Sequence, residues 1–111
     1  MYNYDSVKLE IFIPSTHFES LVKALRLAGA GSSEYYDSVL SYSVVKGCWR
    51  PLPGANPYNG EVGILTETDE YKVEVCCNKD NLIEAIKAIK SIHPYEIPVI
   101  NIIPLINIES D

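Results

Sequence analysis

Cysteine is scarce in this chain: Cys48, Cys76 and Cys77 are the only three in 111 residues. The count is odd, two of the three are adjacent, and there is no C-x-x-C pair. That excludes a secreted disulfide scaffold and leads us to expect reduced thiols in a cytoplasm. Along a strand Cys76 and Cys77 point to opposite faces, so Cys77 is expected as a small core hydrophobe rather than half of a redox pair. Long apolar runs are missing too. None approaches the roughly 20 residues that span a bilayer. The start, MYNYDSVKLE, has no basic region ahead of an apolar one, so no signal peptide is expected. Positive charge is in short supply, with nine Lys and Arg against 15 Asp and Glu and a net charge of −6. A basic nucleic-acid face is therefore not expected.

What is present is a chain of one-domain size in which 47% of residues are hydrophobic. That proportion is enough for a modest core. No linker, repeat or low-complexity block divides it, so residues 1–111 are expected to form a single domain. Residues 7–13, VKLEIFI, alternate between Val7, Leu9, Ile11 and Ile13 on one face and Lys8, Glu10 and Phe12 on the other, as in a half-buried strand. Pro14 stops it. Thr16 and Glu19 then make a capping-box pattern ahead of a helix whose stripe is Phe18, Leu21, Val22, Leu25 and Ala28. Gly29 and Gly31 suit left-handed positions after that helix.

Residues 39–46 predict a second strand and residues 47–60, GCWRPLPGANPYNG, a proline-stiffened loop. Residues 61–66 predict a short strand and residues 71–77, YKVEVCC, an alternating one with Tyr71, Val73, Val75 and Cys77 inward. Asn78 or Asp80 can cap a second helix striped by Leu82, Ile83, Ile86, Ile89 and Ile92. A last strand follows at 97–105. Strand, helix, strand, strand, helix, strand predicts an α+β fold, a ferredoxin-like βαββαβ two-layer sandwich with both helices on one face. The first and third strands are expected to be central and parallel, with Lys8 and Glu10 facing Lys72 and Glu74 across them. The last strand is apolar on both faces, Val99 and Ile103 against Ile100 and Ile102, and its prolines fit a sheet edge. Subunit contacts are expected to cover it.

Three places are candidates for chemistry. In His93-Pro94-Tyr95-Glu96, Pro94 ends the second helix at about Ile92. His93 then lies at a helix C-terminus, where its charged form should be favoured. His93 and Glu96 could serve as metal ligands or an acid/base pair, but a metal needs three or four ligands, so the plain corner outweighs that reading. Tyr35, Tyr36 and Asp37 are either turn and cover residues or an aromatic and acidic rim. Trp49 beside Arg50 either folds back on its own loop or supplies hot-spot contacts, and the two stand level. No nucleophile–base–orienter set is evident, so no catalytic residue and no cofactor is expected. His93 as a general base near Asp37 is the weakest reading.

The segments IPSTHFESLVKALRLAGAG, YYDSV, WRPLPGANPYNGEVG, DEYKVEV and HPYEIPVINIIPL occur in one order and spacing that resembles the inserted PII/CutA-like domain of Nif-three-related proteins, here standing alone. The resemblance covers about residues 7–106. It implies a PII/CutA-type sandwich, commonly a trimer, with ligands in subunit clefts. It implies no settled activity, because the two-metal site of the larger relatives lies in their other domains. Ile97 stands where that family often has a second Glu, which removes a carboxylate from the corner.

The function expected is a small cytoplasmic homo-oligomeric binding or regulatory module without catalysis of its own, a homotrimer favoured. Its ligand or partner would meet Tyr36, Asp37, Trp49, Arg50, His93, Tyr95 and Glu96, with no nucleic acid or membrane involved. Arg50 is the only cation in residues 47–60, so a neutral or cationic small molecule, or a protein, is expected over a nucleotide. The alternative is a CutA-type divalent-metal-binding protein using His93, Glu96 and a neighbour's Cys48.

Overall fold

The computed structural model describes residues 3–107. Six elements follow in order: β1 (Tyr4–Ile13), α1 (Phe18–Leu27), β2 (Ser41–Trp49), β3 (Thr66–Asn78), α2 (Leu82–Ile92) and β4 (Ile100–Ile106). They form one four-stranded sheet in the order β2-β3-β1-β4, and every neighbouring pair is antiparallel. The fold is the ferredoxin-like sandwich. One expectation is corrected: β1 and β3 are central but antiparallel. A strand–helix crossover brings β2 back parallel to β1, and the β2–β3 hairpin then reverses direction, so β3 must oppose β1.

The alternation of β1 determines which face is buried. Val7, Leu9, Ile11 and Ile13 are buried, and Leu9 and Ile11 lie opposite Val75 and Val73 of β3. Leu21 and Leu25 of α1 and Ala85 and Ile89 of α2 close over them. Fully burying such an aliphatic side chain contributes roughly 1.5–3 kcal/mol as an upper estimate. Cys77 joins this core, as expected of a small hydrophobe. The stripe of α2 differs from the expected one by one residue. Ile83 is 69% exposed, and Ala85 takes the inward place. Leu82, Ala85, Ile86 and Ile89 keep the three–four spacing, whereas Ile83 lies a quarter turn off it.

On the helix-free face the charges pair diagonally. Glu10 lies opposite Glu74, and the two like charges are relieved by Lys72 at 3.6 Å from Glu10 and Lys8 at 2.6 Å from Glu74. The expected Thr16–Glu19 capping box is absent. A 3-10 turn, Ser15–His17, leads into α1, so His17 rather than Thr16 holds the N-cap position, and Thr16 Oγ1 lies 2.9 Å from His17 Nδ1. Asn78 caps a 3-10 turn, Lys79–Asn81, accepting from the Asp80 amide at 2.9 Å, whereas α2 itself starts after Asn81 with no side-chain cap, so neither Asn78 nor Asp80 caps the helix directly. After α1 the Ala30 amide reaches Leu25 O and the Gly29 amide reaches Arg26 O, with Gly29 at φ 84°. That is the Schellman pattern, which needs a left-handed residue.

Strand lengths differ from the sequence expectation in a way that shapes the site. No separate strand occurs at 61–66. Instead β3 is 13 residues long and starts at Thr66. Tyr71 lies opposite Ile13, the end of β1, so Thr66–Glu70 extends past the central strand and pairs with Val45–Trp49 of β2 alone. This two-stranded arm stretches the molecule to 56 Å in its long dimension. It also takes Gly47, Cys48 and Trp49 out of the expected loop and into β2. The two ends of the described chain meet: the Asn107 amide donates to Asn3 O at 3.0 Å, and Asn107 Nδ2 to Asp5 Oδ2 at 2.6 Å. Among the described residues no helix is long and apolar enough to cross a membrane.

Candidate functional site

A groove of about 570 Å³ lies where the arm, the loop after it and the corner after α2 meet. By strand alternation Phe12, Val45, Gly47, Trp49 and Glu70 share the sheet face opposite the helices, and all five line the groove. Tyr58, Tyr95, Glu96, Ile97 and Val99 supply the facing wall.

The corner is set by Pro94. It excludes helical geometry at the preceding residue, and His93 is extended at φ −76° and ψ 129° as α2 ends at Ile92. The His93 ring turns inward and is only 9% exposed. Its Nε2 lies 2.7 Å from Phe12 O, and the Tyr95 amide donates to Nδ1 at 3.2 Å. A carbonyl can only accept and an amide can only donate, so this network assigns the neutral ring with its proton on Nε2. Burial holds the His93 pKa below its usual value against the opposing pull of the Phe12 carbonyl. The expected preference for a charged His93 is thereby corrected. The ring is inside, and desolvation outweighs the helix terminus.

A pH dependence follows. The folded-state pKa lies below the unfolded one, so His93 contributes stability that is complete above the unfolded value of about 6.5 and is lost as pH falls through the folded value. Urea midpoints should therefore fall more steeply from about pH 7 to about pH 5 in the parent than in His93→Gln. Parallel curves would remove His93 as the titrating group.

Tyr95 stands on the groove wall. Its hydroxyl donates to Glu70 Oε2 at 3.0 Å. Its ring lies 4.9 Å from His93, 5.6 Å from Trp49 and 6.0 Å from Tyr58, centroid to centroid. Burial, and then the Glu70 carboxylate, pushes the phenol pKa well up, which keeps it a donor at neutral pH. The Glu96 carboxylate accepts from the Asn56 amide at 3.1 and 3.2 Å and ties the corner to the loop. The Trp49 indole donates to Asn59 O at 2.9 Å, so its polar edge holds its own loop while its ring borders the groove. Arg50 is exposed at the rim, and among the described residues no carboxylate lies within 4.0 Å of it.

Of the residues expected at a site, the structure brings Trp49, Arg50, Tyr95 and Glu96 to one groove and sets His93 behind it as support. Tyr36 and Asp37 lie elsewhere. Tyr36 is 72% exposed, and Asp37 Oδ1 accepts from Ser38 in the loop that joins β3 through Gly31 and Cys76. Cys76 is six residues along β3 from Glu70, about 20 Å at 3.3 Å per residue. His93 sits at Phe12, which pairs with Lys72, about 13 Å along β3 from Cys76, and among the described residues no hydrogen bond joins it to Asp37. Cys48 lines the groove, yet among the described residues no three His, Cys, Asp or Glu side chains gather as metal ligands. With both His93 nitrogens bonded and Glu96 on the Asn56 amide, the expected metal alternative finds no ready ligand set in one chain.

Glu70 is the groove residue that the sequence did not single out. It is 7% exposed. In TETDEYKVEV it keeps step with the charged Lys72 and Glu74, which are only half-buried, so nothing in the pattern marks it as buried. The one available signal is Gly47. A Cβ there would overlap Glu70 Oε1, which explains a glycine inside a strand.

No family model matches the chain. A protein of Halalkalibacterium halodurans named GTP cyclohydrolase 1 type 2 homolog is 34% identical over 100 residues, covering 90% of this chain and 27% of that one. Its namesake from Staphylococcus epidermidis is 35% identical over 105 residues, covering 94% and 28%. The likeness is to a segment. The chain spans about a quarter of the length of the curated relatives it matches. A crystal structure of a Bacillus cereus protein related to NIF3 superposes with a TM-score of 0.79 at 30% identity, over 95% of this chain and 27% of that one. The periplasmic divalent cation tolerance protein CutA from Archaeoglobus fulgidus superposes with a TM-score of 0.66 at 19% identity, over 90% and 83%. That second likeness shows the fold. The chain is thus similar to a domain-sized piece of the larger NIF3-related proteins and has the fold of CutA.

Proposed function

We propose that this chain is a non-catalytic, homo-oligomeric binding module, a counterpart of the segment found in its larger relatives. The aromatic groove at the base of the arm carries the reading. Its volume is in the range of small-molecule sites, and its walls are mainly apolar with few polar groups. Several of those groups hold the groove's own shape, Glu96 on Asn56, Trp49 on Asn59 and Tyr95 on Glu70, with His93 bonded to Phe12 behind the wall. A catalytic constellation would leave a nucleophile facing a base. The activity in the relatives' name is not carried over, since about three quarters of their length lies outside the match.

Oligomerisation is supported by the two sheet edges. On β4, Ile102, Ile103 and Ile106 are exposed, and on β2 so are Tyr42 and Val44. Unpaired edges carrying apolar side chains call for cover. A trimer is the assembly proposed, in a cytoplasmic setting that suits the exposed free thiols Cys48 and Cys76. Sedimentation equilibrium should give a multiple of 12.4 kDa. Ile102→Asp should reduce it to the monomer with the fold intact, because Ile102 is 45% exposed whereas Ile100 packs against the core. A parent that sediments as a monomer at micromolar concentration would sink the oligomer. Stoichiometric divalent-metal binding in equilibrium dialysis, lost in His93→Ala, would replace the small-molecule reading with a metal one.

A further inference from the structure

The groove holds a buried carboxylate with an unused oxygen, and its surroundings define what would satisfy it. Glu70 Oε2 accepts from Tyr95, while Oε1 accepts from no described residue. No described buried side-chain oxygen is sealed off without a partner, so Oε1 keeps some accessible surface; it lies against Gly47, in the space a Cβ would take, and both residues line the groove. Among the described residues no Lys, Arg or His nitrogen lies within 4.0 Å of Glu70. The nearest in sequence, Lys46, is held by Asp69 at 2.6 Å. A carboxylate this deep carries a desolvation penalty that a cation placed against it would offset.

Three aromatic rings, Trp49, Tyr58 and Tyr95, line the same groove as Glu70 and lie within 6.0 Å of one another through Tyr95. Ring faces attract ammonium and guanidinium groups, Trp most strongly, and the attraction grows when the site is dry. We infer that the groove binds a small organic cation, a substituted ammonium or guanidinium, with its charge against Glu70 Oε1 and its carbon groups on Trp49, Tyr58 and Tyr95. Two cations also line the groove, Lys46, which is paired with Asp69, and Arg50. Both are exposed, where water screens their charge, whereas Glu70 is 7% exposed and screened less. This assignment rests on the binding-module reading and adds the chemistry of the ligand to it.

Trp49 is the only tryptophan, so its fluorescence reports on the groove alone. The parent chain is titrated with tetramethylammonium, butylammonium and guanidinium chlorides, with sodium chloride at matched ionic strength, and with neutral neopentyl alcohol and butanol as shape controls. At least one cation should give a saturable change with an affinity near about 1 mM, as suits so small a ligand. Glu70→Gln, which keeps an oxygen for Tyr95, should weaken it about tenfold or more. Should that variant melt early, Tyr58→Ala serves instead, since Tyr58 is 54% exposed and its loss should weaken cation binding without unfolding the chain. Neutral probes that bind as tightly as the cations, or a Glu70→Gln chain that binds cations unchanged, would overturn the cation assignment and leave the binding module standing. A parent that responds to neither class loses both. Oligomers that dissociate in Glu70→Gln, with no cation bound by the parent, would show a neighbouring copy's side chain on Glu70 and overturn the small-cation assignment.

Discussion

Tyr95→Ala should lower the free energy of unfolding by about 3 kcal/mol, and Tyr95→Phe by about 1 kcal/mol. Two effects add in the alanine variant. The half-buried ring leaves Trp49, Tyr58 and His93 without a packing partner. The Glu70 carboxylate also loses its donor while staying in a dry place. The phenylalanine variant suffers only the second effect, and water entering the groove can relieve part of it. Urea midpoints of the two variants beside the parent decide the matter. A loss below about 1 kcal/mol for the alanine variant would make Tyr95 a loose rim residue rather than a wall of the groove. The expected order, alanine well below phenylalanine, makes Tyr95 architecture and ligand surface at once.

Gly31→Ala should be nearly as damaging, also about 3 kcal/mol, while Gly54→Ala should cost only about 1 kcal/mol. Both glycines have positive φ, 73° and 99°. The strain of a left-handed alanine is therefore common to the two. The difference is space. A Cβ at Gly31 would come 2.7 Å from Val39 O and 3.0 Å from Val75 Cγ2, whereas at Gly54 nothing lies within 4 Å. Val39 O is backbone, and the strand-side bonds Gly31 N to Cys76 O and Val39 N to Gly31 O at 2.9 Å each hold it in place. Equal losses in the two variants, measured by thermal melts, would mean that the loop yields and the contact is soft.

Much of this architecture could be read from hydrophobic period. The alternation in Val7–Ile13 and the helical stripes around Leu21 and Ile89 each point to one buried face, and the buried residues lie there. Pro94 marked the end of α2 to the residue, because its ring acts locally on His93. The features that escaped are non-local. Thr66–Glu70 is polar and carries no apolar alternation, since it pairs with β2 beyond the core and needs no buried face. Relative strand direction depends on how the crossovers run, which no window of residues encodes. Of the groove, Trp49, Tyr95 and Glu96 stood out as residue types beside prolines. Glu70 did not, since its burial arises only when a segment about 25 residues further along the chain folds over it. The charge state of His93 went the same way: a helix terminus is visible in a sequence, and the depth of a ring is not.

The meeting of Asn3 and Asn107 has a consequence for how such a unit can be carried. The two are joined amide to carbonyl, so the chain comes in and goes out within one strand spacing, about 4.8 Å. A host protein needs only two neighbouring backbone points, such as the ends of one surface loop, to take in the whole sandwich without stretching either fold. The arm and its groove lie past the end of β1 at Ile13, whereas the junction sits by its other end at Tyr4. Spliced into a larger chain there, the unit would present its groove away from the host, and excision from that host would leave the groove's own contacts untouched.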